Sequence, residues 1–428
     1  MNPPEPEYHQ DLGYTIDVLI TIEKCLKELG NVFRVYSPSR NNYTYVVNEP
    51  EYAKHILVTN HKNYVKGLGL DRVKVLTGNG LIVSDGDFWK EQRQMIQPAF
   101  HRKVIEGLAG LILESNKELV QKWRTHQDSG QKIDLYKEMS TVTLNIVLSA
   151  IFSEDRHMLT EGPGENIFDL LTRETERNLI FAQRFRALGK KMMEIISKRR
   201  KEGRVCHDFA GMMMEARSKR TGQPMKDKQL LDEIRTLIIA GHETTALTLT
   251  WTWYLLSQNP KVSEKLFDEL NKVLQNSEPE FSDLDQLPYM ESVIKETLRL
   301  YPPAWLIPRR SLNADRVGPY ILPAGSDIFI SPYFLQRDPN VWNQPNEFKP
   351  ERFMPSNPED HHKLSNIPFS AGPRKCIGDH FSMIEMKIHL ALLVKEYKLT
   401  HLKDQPIELE PQVNLRNKYP IFMKVNPR

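Results

Sequence analysis

The stretch that most constrains the fold of this chain lies near its C-terminal end, at residues 367–378, and reads IPFSAGPRKCIG. Its two glycines and two prolines exclude a continuous helix and favour a tight, pre-shaped turn. From Asp379 onward the apolar residues recur with a noisy helical period, which predicts a helix. Cys376 is therefore expected in a glycine-bounded loop just before a helix N-terminus, where amide donors and the helix dipole stabilise a thiolate.

A cysteine thiolate in such a loop is a catalytic nucleophile, a metal ligand or an inert core thiol. Its neighbours narrow the choice of role, because the pattern F-x-x-G-x-R-x-C-x-G specifies five of ten positions, at Phe369, Gly372, Arg374, Cys376 and Gly378. This pattern resembles the heme-binding signature of the cytochrome P450 family. The resemblance implies that Cys376 is the axial ligand of heme iron, and that its thiolate donates electron density that favours O–O cleavage.

The same resemblance implies a role for each of the other loop residues. Arg374 is expected to pair with a heme propionate, and Phe369 is expected to shield the sulfur. Gly372 would let the loop turn, and Gly378 would let the following helix approach the porphyrin. The implied cofactor is heme b.

The second strong signal is a long helical pattern at residues 228–258, which ends just before a proline. Between residues 236 and 256 only His242 and Glu243 can carry charge, so a transmembrane span is an alternative. Six threonines, a central glutamate and the lack of flanking basic clusters argue against a span. A helix that is apolar all round is instead expected in the core of a large protein.

A polar interruption, AGHETT at residues 240–245, lies in the middle of this apolar helix. One reading is a helix kink in which threonine hydroxyls bond back to carbonyls one turn earlier. The other is an oxygen pocket, since the sequence matches the Ala/Gly-Gly-x-Asp/Glu-Thr pattern of cytochrome P450 proteins. That resemblance implies that Gly241 leaves room beside the iron and that Glu243 and Thr244 relay protons as an acid–alcohol pair.

Trp89 and Arg93, in a predicted helix that opens at Phe88, are four positions apart and so share one face. Read alone, they form a surface cation–π pair. In the cytochrome P450 family a matching Trp-x-x-x-Arg lies under the heme and binds a propionate, and the resemblance implies that role here. His101 is a candidate for an additional contact, with a structural or exposed position as the alternative.

Glu296 and Arg299 lie on one face of another predicted helix. A plain surface pair of this kind contributes little to stability. In the family this Glu-x-x-Arg pair is buried and joins an arginine from a later loop, which Arg352 matches, and its expected role is scaffold and heme-pocket assembly. The family also implies a propionate ligand at Arg309, for which Arg310 is the competing choice.

The helical patterns predict a mainly α protein with a small β region. The resemblance implies the cytochrome P450 fold as a single domain over residues 1–428, with heme between the long helix and the cysteine-loop helix. The proline-rich residues 1–10 are expected to be loose or extended. The remaining patterns predict helices at 11–29, 50–58, 103–126, 138–153, 166–184, 186–202, 207–219, 260–274 and 289–301, a hairpin of 32–36 with 43–47, short strands at 320–322 and 326–331, and an irregular connection at 64–86.

Composition limits the function classes. A hydrophobic content of 40% with 26% charged residues is typical of a soluble globular protein, and a net charge of +3 gives nucleic-acid binding no general electrostatic support. Three scattered cysteines do not make a disulfide framework and suit a reducing compartment. The first residues lack the basic and apolar regions of a signal peptide, so a cytoplasmic protein of the soluble bacterial type, with no membrane anchor, is expected.

The reaction class implied by the resemblance is monooxygenation, in which O2 and two electrons insert one oxygen atom into an apolar substrate. A fatty acid, a terpenoid or a polyketide-like molecule is the expected substrate, and a monomer is the expected state. Electrons would come from a separate ferredoxin or flavodoxin with its reductase, docking on basic residues at Arg374, Lys375, Lys90 and Arg102. The alternatives are a peroxide-driven or rearranging heme-thiolate enzyme, a non-enzymatic heme sensor or carrier, and a heme-free helical interaction protein.

Overall fold

The structure is a computed structural model that describes residues 1–13, 16–161, 167, 170–171, 179–355 and 364–428. Most of the described chain is helical. The α-helices are α1 Ile16–Leu29, α2 Pro50–Lys54, α3 Leu70–Thr77, α4 Gly86–Ile96, α5 Arg102–Ser129, α6 Leu135–Phe152, α7 His157–Thr160, α8 Leu179–Lys201, α9 Phe209–Glu215, α10 Asp227–Gln258, α11 Pro260–Leu274, α12 Pro288–Leu300, α13 Pro332–Leu335 and α14 Asp379–Glu396.

Short strands form the smaller β region. They are β1 Val32–Ser37, β2 Asn42–Val47, β3 Tyr64–Lys66, β4 Lys132–Asp134, β5 Ile307–Ser311, β6 Asp315–Val317, β7 Tyr320–Leu322, β8 Asp327–Ile330, β9 Tyr397–His401, β10 Leu409–Pro411, β11 Leu415–Asn417 and β12 Phe422–Pro427. The prediction of a mainly α protein with a small β region is therefore confirmed.

The chain divides into two compact units, each assembled from three segments. The first unit contains Met1–Leu70, Glu291–Cys376 and Gln405–Tyr419. The second unit contains Asp71–Met290, Ile377–Asp404 and Pro420–Arg428. The expectation of a single domain over residues 1–428 remains a prediction.

The first unit is built on a five-stranded sheet in the order β1-β2-β8-β5-β3. The β1–β2 hairpin pairs Val32 with Val47 and Ser37 with Asn42, and its β-branched and aromatic residues are those that predict a hairpin there. β2 and β8 run parallel, because the chain returns to the sheet after a long excursion, and the other neighbours are antiparallel. The β6–β7 and β10–β11 hairpins complete the β structure of this unit.

Two local predictions in this region differ from the structure. The sequence predicts one helix at 50–58, whereas the chain forms α2 followed by a π-helix, His55–Thr59. It also predicts an irregular connection at 64–86, whereas the structure contains β3 and α3 there. A three-residue strand carries no period of its own, and β3 exists because it pairs with β5.

Residues 1–10 contain no helix or strand, and two backbone hydrogen bonds join them to β1. The backbone N–H of Arg34 donates to Pro4 O at 2.9 Å, and the N–H of Gln10 donates to Tyr36 O at 3.0 Å. These two bonds place the segment beside β1, and the expectation that it is loose or extended stays a prediction.

The second unit is organised on α10, a helix of 32 residues that spans roughly 48 Å at 1.5 Å per residue. It begins one residue before the predicted helix at 228–258 and ends with it. α10 packs against α6, in which almost every side chain is buried, and α14 packs against α5. β4, β12 and β9 add a three-stranded antiparallel sheet in the order β4-β12-β9.

The predicted helices at 103–126, 138–153 and 186–202 correspond to α5, α6 and α8, with different end points. The predicted helix at 166–184 lies largely outside the described residues. Across the parts of the chain that the structure describes, no helix has the length and apolar character needed to cross a membrane.

Candidate active site

The loop that carries Cys376 is closed by its own backbone hydrogen bonds. The N–H of Cys376 donates to Phe369 O at 2.9 Å, and the N–H of Lys375 donates to Gly372 O at 3.0 Å. The thiol-bearing residue is nevertheless exposed, and α14 begins three residues later at Asp379. The sequence prediction of a turn ahead of a helix N-terminus is therefore confirmed, with the sulfur held on an ordered loop.

Gly372 is the position at which this loop requires glycine. Its φ angle is +69°, a left-handed conformation that residues with a side chain rarely adopt. A Cβ at this position would also lie less than 3.0 Å from the carbonyl oxygen of Leu57, in the π-helix. Gly378, by contrast, has only an ordinary contact, with Phe100 3.7 Å from the position of a Cβ.

Glu296, Arg299 and Arg352 meet in the first unit, and all three are almost fully buried. Arg299 forms a bidentate pair with Glu296, with Nε 2.7 Å from Oε2 and Nη2 2.8 Å from Oε1. Arg352 Nε lies 3.3 Å from the same Oε1. Arg299 Nη1 also donates to the carbonyl oxygen of Gln336 at 2.8 Å. The cluster therefore ties α12 to the loop of Arg352, as a scaffold would.

The two neighbouring arginines of β5 point to opposite faces of its strand. Arg309 is 6% exposed, whereas the Arg310 side chain is 47% exposed and lies 2.7 Å from Asp327. This alternation is the ordinary period of a β-strand. Because Arg310 is engaged at the surface, the structure favours Arg309 as the buried cation of the pair.

A short strip in the middle of α10 is accessible although the helix around it is buried. Residues 232–238 and 245–253 are buried, whereas the strip between them contains five half-buried residues: Ile239, Ala240, Gly241, Glu243 and Thr244. Accessible surface in the middle of an otherwise buried helix leaves these five residues able to contact a bound group. The strip is mainly apolar, and Glu243 and Thr244 are its polar groups.

Thr244 makes the back-bond that the kink reading predicts. Its hydroxyl donates to Ala240 O at 2.7 Å, and Thr248 and Thr252 repeat the bond one and two turns later, at 2.9 and 2.8 Å. Such bonds bend a helix, but they do not exclude a role in the pocket. A hydroxyl that gives its one proton to a carbonyl keeps two lone pairs, so Thr244 can still accept a hydrogen bond.

Gly241 has a packing role in the structure. A Cβ at this position would lie 2.9 Å from Cγ2 of Val147 in α6, so the glycine allows α6 and α10 to approach each other. The expectation that Gly241 also leaves room beside an iron stays a prediction. The next residue, His242, is 1% exposed and also points to α6, where its Nε2 lies 2.8 Å from Ser140 Oγ.

Glu385 in α14 was not predicted from the sequence. It is 1% exposed and its carboxyl is hydrogen-bonded to Thr245, the residue that follows Thr244. Burial raises the pKa of Glu385 well above its usual range, although the hydrogen bond from Thr245 acts in the opposite direction. A glutamate in a noisy helical pattern carries no sequence signal of this kind, because its burial and its partner come from a distant part of the chain.

Trp89 and Arg93 are both half-buried on α4 and share one face of that helix. His101 is exposed and caps α5, where its Nδ1 accepts from the N–H of Lys103 at 3.5 Å. That position favours the structural alternative for His101. Arg102 lies 2.6 Å from Asp285, which offsets part of its charge at the surface.

Each of the two units contains groups of the kind that hold a heme. In the first, Cys376 offers an exposed sulfur of the soft type that iron accepts, and Arg309 offers a buried cation suited to a carboxylate. In the second, α10 exposes its accessible strip, and Trp89 and Arg93 keep accessible surface on α4. The donor set therefore fits the cofactor that the resemblance implies.

Comparisons with known proteins agree with this chemistry. The family model for Cytochrome P450 matches residues 18–425. The chain is similar to cyclooctatin synthase of Streptomyces melanosporofaciens, with 31% identity over 401 residues that cover 90% of this chain and 86% of that protein. It is similar to carotene epsilon-monooxygenase, chloroplastic, of Arabidopsis thaliana, with 28% identity over 448 residues that cover 96% and 82%.

Among solved structures, the crystal structure of the cytochrome P450DA heme domain matches with a TM-score of 0.87 and 22% sequence identity, covering 100% of this chain and 98% of that one. This likeness confirms the predicted fold. The chain therefore belongs to the cytochrome P450 family of heme-thiolate oxidoreductases, and its cofactor is heme b.

Proposed function

We propose that Cys376 ligates the heme iron and that the chain is a monooxygenase that inserts one oxygen atom from O2 into an apolar substrate. The observation that carries the proposal is the cysteine loop, in which Cys376 is exposed while its N–H is bonded to Phe369 O at 2.9 Å. Hydrogen bonds within the loop hold the sulfur in one position, and the adjoining helix N-terminus favours the thiolate. A fixed thiolate donor is what ligation of heme iron would require.

Bound heme supplies the activation of oxygen and the transfer of one oxygen atom. We assign the handling of protons to Glu243 and Thr244 on the accessible strip of α10. The hydroxyl of Thr244 donates to Ala240 O, so its oxygen keeps lone pairs that can accept a hydrogen bond. Glu243 provides a carboxyl group beside it, of the kind that serves in general acid–base catalysis. A peroxide-driven or rearranging enzyme needs no such pair, so the pair favours O2-dependent chemistry.

We assign the heme propionates to Arg309, Arg374, Trp89 and Arg93. The burial of Arg309 supports its place in this set, since charge-assisted hydrogen bonds are strongest away from water. Phe369 and Gly378 are assigned to sulfur shielding and to close helix approach. The Glu296 cluster is assigned to the scaffold, because its three side chains satisfy one another and neighbouring carbonyls.

The substrate we propose is a terpenoid. The accessible strip of α10 is mainly apolar, which favours a hydrocarbon surface over a charged one. The names of two relatives refer to cyclooctatin and to carotene, which supports an isoprenoid over a fatty acid or a polyketide-like molecule.

The axial ligand is tested by the absorbance of the reduced protein with carbon monoxide. The wild-type protein is expected to give the band of thiolate-ligated iron, and Cys376→Ala is expected to lose it. Cys206→Ala is the matched control, because Cys206 is a half-buried cysteine elsewhere in the chain. Retention of the band by Cys376→Ala would overturn the assignment.

The substrate class is tested by titrating the protein with candidate substrates and following the change in heme absorbance. Diterpene hydrocarbons are expected to shift the spectrum at lower concentration than fatty acids of equal carbon number. Equal or reversed order would argue against a terpenoid. Tight binding with no product from a ferredoxin-driven reaction would favour a heme sensor or carrier.

We propose that a separate acidic ferredoxin or flavodoxin delivers the electrons to a basic surface that includes Lys375. Lys375 and Lys90 are exposed, whereas Arg102 is paired with Asp285 and contributes less. Lys375→Glu is expected to slow reduction and to weaken its dependence on salt. Lys261→Glu, an exposed lysine of α11, is the control. Identical reduction kinetics in both variants would exclude Lys375 from the docking surface.

A further inference from the structure

One face of α6 contacts α10 at the turn that precedes Glu243. This face consists of Ser140, Thr143 and Val147, spaced by three and four residues so that they lie in one row along the helix. Val147 fills the space above Gly241, where a Cβ on the glycine would be 2.9 Å away. Ser140 and Thr143 are fully buried and supply polar groups to an interface that is otherwise apolar.

Both polar groups bond to His242. Its Nε2 lies 2.8 Å from Ser140 Oγ, and its backbone carbonyl lies 3.2 Å from Thr143 Oγ1. Thr143 also lies 2.9 Å from Met139 O, so its single proton is shared between its own helix and α10. A buried histidine with a short hydrogen bond has one favoured orientation, because losing the bond would leave two polar groups unsatisfied.

We propose that the Ser140–His242 pair is a positioning device for Glu243 and Thr244. His242 points to α6, while the two residues that follow it, Glu243 and Thr244, lie on the accessible strip. Anchoring His242 to α6 therefore sets the rotation of α10 about its axis at the one turn where the strip is exposed. The inference deepens the proposed function and rests on it, since it concerns the residues assigned to proton handling.

A small rotation is enough to matter. Side-chain atoms lie about 5 Å from the axis of an α-helix, so a rotation of about 15° moves them by about 1 Å. Misplacement of catalytic groups by about 1 Å costs on the order of 10²-fold in rate.

The experiment compares Ser140→Ala with Ser149→Ala, a buried serine further along the same helix. The first measurement is amide hydrogen exchange of residues 239–248. Ser140→Ala is expected to raise this exchange about fivefold, because it removes one buried hydrogen bond that opposes local opening. Ser149→Ala is expected to leave it unchanged. The second measurement is the product formed per electron, with a surrogate ferredoxin system and geranylgeraniol as the probe. This yield is expected to fall about fivefold in Ser140→Ala alone.

Thr143→Val and His242→Gln extend the test. The first removes the proton shared with His242 O at nearly constant volume and is expected to act in the same direction with a smaller effect. The second keeps a hydrogen-bonding group for Ser140 and is expected to retain most of the yield per electron. Unchanged exchange and yield in Ser140→Ala would overturn the inference, as would an equal loss in Ser149→Ala. Absence of the thiolate band in the wild-type protein would instead reject the proposed function.

Discussion

Gly372 and Leu57 meet backbone to backbone, with no room for a side chain between them. A Cβ on Gly372 would lie less than 3.0 Å from Leu57 O, and the residue adopts a φ of +69°. The cysteine loop therefore rests on a π-helix that belongs to a different part of the chain, His55–Thr59. π-helical turns occur frequently at functional sites, and here the turn supports the loop of the proposed iron ligand.

Replacing Gly372 with alanine is expected to reduce heme incorporation and to lower the midpoint of thermal unfolding. Two costs combine: about 1 kcal/mol for a left-handed residue with a side chain, and about 1–3 kcal/mol for overpacking against Leu57. Gly325→Ala is the control, because Gly325 has a φ of +76° with nothing within 4 Å of the position of a Cβ. Equal losses in the two variants would mean that the Leu57 contact has no effect of its own.

Glu296→Gln is expected to lower the free energy of unfolding by about 3–5 kcal/mol. The amide keeps the shape of the side chain but removes the negative charge that two buried guanidinium groups share, those of Arg299 and Arg352. Glu264→Gln serves as the comparison, since Glu264 is half exposed and pairs with Lys398 at 3.1 Å. Urea unfolding should give a loss of about 1 kcal/mol or less for that variant. Similar losses for both would contradict the role of Glu296 as the centre of a buried cluster.

Thr244→Ala is expected to reduce product per electron by about tenfold or more and to release peroxide in its place, because proton delivery by a positioned group contributes on the order of 10²–10⁴-fold. Thr248→Ala removes an equivalent back-bond one turn later, from Thr248 to Thr244 O at 2.9 Å, but Thr248 is buried. It should leave the yield unchanged. If both variants lost yield equally, helix bending and not the Thr244 hydroxyl would be responsible.

Stability is expected to fall between pH 6.5 and 8 because of Glu233. Burial raises the pKa of Glu233 to about 8, although the N–H of Leu81 donates to its carboxyl at 2.9 Å. The native state therefore keeps a proton that the unfolded state releases near pH 4.5, so the free energy of unfolding decreases as pH rises through this interval.

Glu233→Gln removes the titration while keeping an acceptor for Leu81. Its free energy of unfolding should change less between pH 6.5 and 8 than that of the wild-type protein, by a few kcal/mol at most. Urea unfolding at several pH values measures the difference. Parallel curves for the two proteins would show that Glu233 does not titrate in this range.

For several residues the sequence shows the spacing or the motif, but tertiary structure determines the burial and the contacts. The Glu296–Arg299 pair is visible as a spacing of three residues, but its burial depends on Arg352 and on carbonyls from another segment. Arg309 and Arg310 are equivalent in sequence, and only the pairing of β5 with β3 and β8 decides which one is buried. Gly241 matches a family pattern, yet its close neighbour is Val147 of α6.

The sequence alone determined the long helix, the turn that carries Cys376 and the hairpin of β1 and β2. These features follow from local periodicity and from the backbone freedom of glycine and proline, which act over a few residues. Tertiary structure decided that His242 bonds to Ser140, that Glu385 bonds to Thr245 and that Gly372 rests on Leu57. These contacts depend on which distant segments pack together and exclude water. Local sequence patterns do not specify that packing.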